Sequence, residues 1–508
     1  MSLVVGVDVG TSGTKALAID ERGKVVASAT VEYPLLSPKP SWAEQTPSDW
    51  KRATLEALSR LAHSPGVKAA DIKGLGLTGQ MHGSVFLDKD HNVLRNAILW
   101  CDQRTAKQCD DITSKVGAQR LIEMVCNPAL TGFTAPKILW LRENEPKVYE
   151  RVRRVLLPKD YIRYELTGEF ATDVADASGT LLFDVKNRAW HKELMSLLDV
   201  PLDFMPRAYE GPEVTGQLSS EAAQATGIPK SIPVIAGGGD QAAGGVGCGI
   251  VKSGVISATV GTSGVVFAFA DRVSLDPEGR VHTFCHSVPG KWHVMGVVLS
   301  AGGSLRWFRD TLCQAEKTVA AETGADPYEY ITAAAGQVAP SAEGLIFLPY
   351  LTGERTPHKD PFAKGAFVGL SLRHTRAHMA RAVLEGVAFA MRDSLEIMRG
   401  MGVSIEQVRA SGGGARSTLW RQIQADVNKA PLVMINVDEG PAYGAALLAT
   451  VATGMYGSVE EACAATIRVV DSCEPDVARA PSYDPWFAEY QACYRALAPG
   501  FRRVADLL

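Results

Sequence analysis

Apolar residues fall into short runs separated by glycine-bearing turns along most of the chain. Two pairs of these runs have the length and character that predict strands. They are residues 4–9 with 16–19, and 255–260 with 265–270. The same tetrapeptide, Gly-Thr-Ser-Gly, separates the runs of each pair, at 10–13 and again at 261–264. The pattern predicts two β-hairpins in a duplicated α/β fold.

The rest of the pattern is consistent with two large halves. Residues 105–225 have mainly helical spacing and predict an elaboration of the first half. A buried strand, 232–236, ends in three glycines and Asp240, close to where the hairpin pattern starts again. We therefore expect two domains, residues 1–245 and residues 246–508.

Composition narrows the class of protein. The 508 residues are 46% hydrophobic and 21% charged, which is ordinary globular usage. A net charge of -4 gives no electrostatic reason to expect nucleic acid or an anionic membrane as a partner. Nine cysteines without a C-x-x-C pair indicate neither a disulfide framework nor a zinc site. With no secretory or membrane-spanning pattern, we expect a cytoplasmic protein.

The two hairpin turns are candidate phosphate sites. Backbone N–H groups of a glycine-rich turn can point at an anion, so two facing turns could hold one nucleotide from both sides. Hydroxyl groups would add donors at Thr11, Ser12, Thr262 and Ser263. The copies differ just before the turn, where Asp8 stands in the first and Thr259 in the second. Asp8 is therefore the candidate ligand of Mg²⁺, through water because that ion keeps its hydration.

Asp240 is the candidate general base. Phosphoryl transfer needs positioned phosphates, a divalent cation and often a base for the attacking hydroxyl. Asp240 follows a glycine turn at a strand end, where a carboxylate can project into a cleft. An aspartate in that position can equally cap a helix. Likewise, His82 can be a hydrogen-bonded interior histidine and not a ligand-binding residue. Lys15 can be a solvated strand residue.

Longer motifs resemble the FGGY family of carbohydrate kinases over nearly the whole chain. The most specific are GFTAPKILW at 132–140, and GAFVGL at 365–370 followed by HMARAVLE at 378–385. Other motifs are similar to those of family members that phosphorylate D-xylulose. They are QMHG at 80–83, LPKDY at 157–161, GGGD at 237–240 and LPYLTGERTPH at 348–358.

The resemblance implies two actin-like domains of ribonuclease H type, with ATP and a sugar in the cleft between them. It implies that Asp240 is the base and that Asp8 assists the metal and the phosphates. The sugar would be contacted by Gln80, Met81, His82, Asp240 and Gln241. ATP would be bound by Thr11, Ser12, Lys15, Gly261, Thr262, Ser263, Gly412, Gly413, Gly414, Ala415 and Asn436.

The implied reaction is phosphorylation of D-xylulose to D-xylulose 5-phosphate with ATP and Mg²⁺. Gln241 stands where many such kinases have asparagine, so D-ribulose, L-ribulose and xylitol remain alternative substrates. Glycerol is disfavoured because glycerol kinases carry an Arg-Glu pair where this chain has Met81 and His82. A non-metabolic actin-like ATPase is disfavoured by the presence of Asp240 and of Met81 and His82. The family alone suggests a homodimer.

Overall fold

The computed structural model describes residues 2–507 and contains two mixed sheets with helices packed around them. In the first half the strands are β1 (Leu3–Val9), β2 (Gly13–Ile19), β3 (Val25–Glu32), β4 (Glu44–Gln45), β5 (Ile72–Gly79), β6 (Val85–Leu87), β7 (Ala97–Ile98), β8 (Arg154–Leu156), β9 (Ala171–Asp173), β10 (Phe183–Asp184), β11 (Ala189–Trp190), β12 (Arg207–Tyr209), β13 (Val214–Gln217), β14 (Pro233–Ile235) and β15 (Gly238–Gly239). The helices are α1 (Pro47–Ala62), α2 (Ala106–Val116), α3 (Ala118–Val125), α4 (Thr134–Asn144), α5 (Pro146–Tyr149), α6 (Pro158–Thr167), α7 (Val174–Ser178), α8 (Lys192–Leu197), α9 (Ser220–Thr226) and α10 (Asp240–Gly247).

The second half has fewer and longer elements. Its strands are β16 (Gly254–Val260), β17 (Gly264–Ala270), β18 (His282–Cys285), β19 (Trp292–Val298), β20 (Ile346–Leu348), β21 (Ala366–Val368), β22 (Ile405–Ser411), β23 (Leu432–Ile435) and β24 (Val469–Cys473). Its helices are α11 (Gly302–Leu312), α12 (Gln314–Thr323), α13 (Pro327–Gly336), α14 (Arg376–Gly400), α15 (Thr418–Asn428), α16 (Gly440–Ala452), α17 (Val459–Thr466) and α18 (Tyr483–Ala505).

The two large sheets repeat one topology. The first has the order β3-β2-β1-β5-β14-β13, and β15 continues the line of β14 beside β5. The second has the order β18-β19-β17-β16-β22-β23-β24. In each sheet the first hairpin strand, β1 or β16, pairs antiparallel with the next strand and parallel with a later one, β5 or β22. The predicted duplication and the α/β class are confirmed.

Close packing of small residues joins the two halves. Helix α16 comes from the second half of the chain but lies on β1 and β5 of the first sheet and against α10. A Cβ atom added at Gly6 would lie 1.8 Å from the Ala442 oxygen, and one added at Gly444 would lie 1.7 Å from the Ala243 oxygen. Only glycine permits such backbone contact. The start of α10, where Asp240 stands, is therefore fixed by both halves.

No helix within residues 2–507 combines the length and the apolar character needed to cross a membrane.

Candidate active site

The first hairpin is held from outside by side chains that the sequence analysis did not single out. The Gly10 N–H donates to the Gly13 oxygen at 3.0 Å and closes the turn. The Gln45 Nε2 donates to the Thr11 oxygen at 2.6 Å, and the Trp100 indole donates to Thr11 Oγ1 at 3.0 Å. Trp100 is 40% exposed, so it is partly open to solvent beside the turn. The exposed Ser12 stands at the tip.

Asp8 has the properties expected of a group that binds a hydrated cation. It pairs across the hairpin with Lys15, and its Oδ1 is buried without a hydrogen-bond partner. Burial raises the pKa of the carboxyl to about 6, against the opposing charge of Lys15. An orphaned carboxylate oxygen fits a water ligand of Mg²⁺, which is bound in proteins through few carboxylates and several waters.

A glycine turn brings Asp240 next to Met81. Gly237 has a φ of 77°, and a Cβ there would lie 1.8 Å from the Leu77 oxygen, so this position requires glycine. A Cβ at Gly239 would lie 2.7 Å from Met81 Cγ. Burial, and then the charge of Asp8, raise the pKa of Asp240 to about 7, while hydrogen bonds from Gln241 lower it. A carboxyl that titrates near neutral pH is suited to general-base catalysis.

Met81 and His82 form a wall beside this turn. Met81 is 3% exposed, and His82 has a left-handed backbone with a φ of 68°. Lys137 Nζ donates to the His82 oxygen at 2.8 Å, and Thr134 Oγ1 donates to it at 3.1 Å. The His82 Nδ1 lies 2.6 Å from the Gly179 oxygen. The GFTAPK motif therefore fixes the backbone of His82. In the sequence, a lysine within this apolar segment was the available signal for such a role.

Gln80 lies beside this wall but is engaged elsewhere. It is 1% exposed, and its Nε2 donates to the Gly10 oxygen at 3.2 Å and to Gln45 Oε1 at 2.9 Å. Its side chain supports the first hairpin, and this arrangement gives no support to the predicted contact with the sugar.

Beneath the site lies a buried charge network. Carboxylates of Asp160, Asp173 and Asp176 come together around Lys159, whose Nζ lies 2.5, 2.6 and 3.4 Å from them. The ammonium group fills the space that a cation would need, so these residues form an internal salt-bridge cluster. The charge of Asp240 is among those that raise the pKa of Asp176, which links the cluster to the candidate base.

The second hairpin opens onto a cavity of about 600 Å³. Gly302 N–H donates to the Gly261 oxygen at 2.8 Å, so the start of α11 is attached to the turn. The cavity is lined by predicted residues and by several others. The lining is Val260, Gly261, Thr262, Gly302, Leu305, Arg306, Asp326, Tyr328, Glu329, Thr332, Gly413, Gly414, Arg416, Ser417 and Trp420. Aromatic and cationic side chains beside glycine turns are suited to a nucleotide.

Three of the predicted ATP contacts, Ser263, Gly412 and Ala415, are adjacent in sequence to residues that line this cavity. Ser263 is at the exposed tip of the hairpin, and Ala415 is 5% exposed behind the glycine turn. Gly412 has a φ of 78°, and a Cβ there would lie 2.7 Å from the Val260 oxygen, so it holds the turn against the hairpin. Lys15 forms an ion pair with Glu439, at the start of α16.

Asn436, like Thr11, Ser12 and Lys15 of the first half, is a predicted ATP contact that does not line this cavity. Its Nδ2 donates to the Thr466 oxygen at 3.1 Å, and its Oδ1 accepts from the Arg468 N–H at 2.8 Å. The side chain therefore supports the segment before β24. The cavity is lined instead by Arg416, Ser417 and Trp420, which the sequence analysis did not name. They follow the GGGA turn directly, and that turn could have pointed to them.

Two family models match the chain over most of its length. The model of the FGGY carbohydrate kinases' N-terminal domain matches residues 3–247, and that of their C-terminal domain matches residues 256–453. The chain belongs to the FGGY family of carbohydrate kinases. Membership of this family implies that ATP and a sugar are the substrates of this FGGY kinase.

Similar proteins cover the FGGY kinase from end to end. Xylulose kinase of Escherichia coli is 42% identical over 98% of this chain and 99% of its own. The crystal structure of a xyloylose kinase from Brucella ovis has 38% identity and a TM-score of 0.89, over 98% and 99% of the two chains. A gluconate kinase from Lactobacillus acidophilus has 28% identity and a TM-score of 0.91, over 99% of both. The fold is thus shared by kinases named for different sugars.

Proposed function

We propose that this FGGY kinase transfers the γ-phosphoryl group of ATP to the C5 hydroxyl of D-xylulose, giving D-xylulose 5-phosphate. The observation that carries the proposal is the contact of the Gly237–Asp240 turn with Met81, which directs a base and a sugar-binding wall into one cleft. The choice of sugar is supported by the identity of 42% with the xylulose kinase of Escherichia coli.

In this proposal Asp240 accepts the proton of the C5 hydroxyl as that oxygen attacks the γ-phosphorus. The bond between the γ-phosphorus and the bridging oxygen breaks, and ADP leaves with that oxygen. Donors of the two hairpins would hold the phosphates, and Asp8 would hold a water ligand of Mg²⁺. The metal supplies charge neutralisation for the phosphates when it is bound.

The nucleotide is proposed to lie in the cavity beside the second hairpin. Thr262 and its neighbours face the phosphates there, and Trp420 and Tyr328 border the space for the base and ribose. The protein then divides into a sugar-binding domain, residues 1–245, and a nucleotide-binding domain, residues 246–508, with α16 packed between them. A homodimer is proposed on the family relationship, and sedimentation at several concentrations tests it.

Release of ADP, measured across a panel of sugars, tests the substrate. The panel is D-xylulose, D-ribulose, L-ribulose, xylitol, gluconate and glycerol, and D-xylulose is expected to have the highest kcat/KM. Replacement of the base in Asp240→Asn should lower kcat by about 10²–10⁴-fold. The exposed Asp203→Asn is the matched control and should leave kcat unchanged. A different preferred sugar would refute the substrate, and a fully active Asp240→Asn would refute the base.

A further inference from the structure

Arg355 extends from the second half of the chain toward the proposed sugar pocket. It lies in the loop between β20 and β21, and two contacts fix this loop on the end of β19 and the residue that follows it. Thr356 N–H donates to the Val297 oxygen at 3.0 Å, and Leu299 N–H donates to Glu354 Oε1 at 2.9 Å. Val297 and Leu299 pack in the same apolar cluster as Met81, so the loop borders the wall of the pocket.

The charge of Arg355 acts on one end of that pocket. It lowers the pKa of His82 and of His282, in both cases after the larger effect of burial. The pKa of Asp240 responds instead to burial and to the charge of Asp8. Together with the attachment of its loop to Val297 and Leu299, this puts the charge of Arg355 on the His82 side of the pocket.

The guanidinium group has no hydrogen bond or ion pair with any group in residues 2–507. Its neighbour Glu354 accepts from the N–H groups of Leu299 and Arg355, and burial raises the pKa of that carboxyl to about 8. At neutral pH Glu354 is therefore mostly uncharged and gives little compensation. Arg355 is only partly exposed, and a guanidinium held there without a protein acceptor is available to a ligand that supplies oxygen acceptors.

His82 supplies the complementary acceptor. Its Nδ1 lies 2.6 Å from the Gly179 carbonyl oxygen, which can only accept, so the ring proton is on Nδ1. Burial, Lys137 and Arg355 lower the pKa of His82 to about 3, which keeps the imidazole neutral. Its Nε2 then has a lone pair available. This end of the pocket thus offers one acceptor beside a group that only donates.

We propose that Arg355 is a specificity-determining residue that donates to the C2 carbonyl oxygen of the ketose, while His82 Nε2 accepts from a neighbouring hydroxyl. The inference rests on the proposed function, because C2 of D-xylulose lies at the opposite end of the chain from the C5 hydroxyl held at Asp240. A carbonyl oxygen only accepts, as the guanidinium requires, whereas the C2 hydroxyl of the polyol xylitol must also place a proton. Arg355 thereby selects the ketose over the polyol.

Comparison of D-xylulose with xylitol in the variant Arg355→Met tests this assignment. A hydrogen bond to a charged group contributes about 1.5–3 kcal/mol, so kcat/KM for D-xylulose should fall roughly 10–100-fold. For xylitol, measured as substrate or as competitive inhibitor, the change should stay within about threefold. The KM for ATP should not change. Lys359→Met, on the same loop and exposed, is the matched control and should leave both sugars unaffected.

A binding measurement separates specificity from loss of folding. Calorimetric titration with D-xylulose alone should give the same loss of affinity in Arg355→Met, and Arg355→Lys should recover part of it. Equal losses for both sugars, or unchanged affinity for D-xylulose, would overturn the assignment. If the wild type prefers another ketose, the proposed substrate fails, and Arg355 is judged by the same comparison of that ketose with its polyol.

Discussion

Replacement of Asp240 by asparagine should stabilise the folded protein at neutral pH while it removes the base. The carboxyl has an ordinary pKa of 3.8 and a folded pKa of about 7, raised first by burial. The folded state therefore holds this proton to a higher pH than the unfolded state does. Wild-type stability consequently falls as pH rises from about 4 to about 7, and this loss is absent in the variant.

The size of this stability difference follows from the pKa shift of Asp240. Each pKa unit corresponds to about 1.4 kcal/mol, so full expression of the shift would give about 4 kcal/mol. Asp240 retains partial contact with solvent, which screens its charge, and we expect about half of that value. The free energy of unfolding of Asp240→Asn should therefore exceed that of the wild type by about 2 kcal/mol at pH 8, and by much less at pH 5.

Urea denaturation at pH 5 and at pH 8, without nucleotide or Mg²⁺, measures this difference. Both proteins share every other titrating group, so the change in the gap between the two pH values reports Asp240 together with its effect on Asp176. The exposed Asp203→Asn should follow the wild type at both pH values. A gap that does not widen between pH 5 and pH 8, or a variant less stable than the wild type at pH 8, would refute the reasoning.

Three further outcomes follow from the same geometry. Because the base must be ionised, kcat/KM should fall about tenfold per pH unit below the pKa of Asp240, about 7, and a flat profile down to pH 5 would contradict this. In Gly444→Val the new side chain meets the Ala243 oxygen, so the free energy of unfolding measured with urea should fall by at least about 1–3 kcal/mol. Gly244→Ala is the control, because a Cβ there has its nearest neighbour at 3.7 Å, and it should change this free energy little. In Lys159→Met, Asp173 and Asp176 lose their cation, whereas Asp160 keeps its ion pair with Arg163. Stability at pH 7 should therefore fall by about 3–5 kcal/mol and recover partly at lower pH, and an unchanged urea midpoint would contradict this.

Local features of the fold and of the site could be predicted from the sequence because their signals lie within a few residues. The two Gly-Thr-Ser-Gly turns join adjacent strands in the structure, as the apolar runs predicted. The turn before Asp240 is equally local, since a positive φ at Gly237 needs only the glycine itself. The long motifs identified the family for the same reason.

The contacts that complete the site join residues far apart in the sequence, and only the tertiary structure decided them. Helix α16 packs on β1 because small residues in both allow their backbones to meet, and no local pattern specifies which sheet such a helix chooses. Gln80 supports a hairpin and Asn436 supports a strand, because each found a partner in a distant backbone. The loop that carries Arg355 is attached to Val297 and Leu299, at the end of β19, by hydrogen bonds between residues more than 50 positions apart. By itself, the sequence determined the two turns and indicated a candidate base, whereas long-range packing decided which side chains surround them.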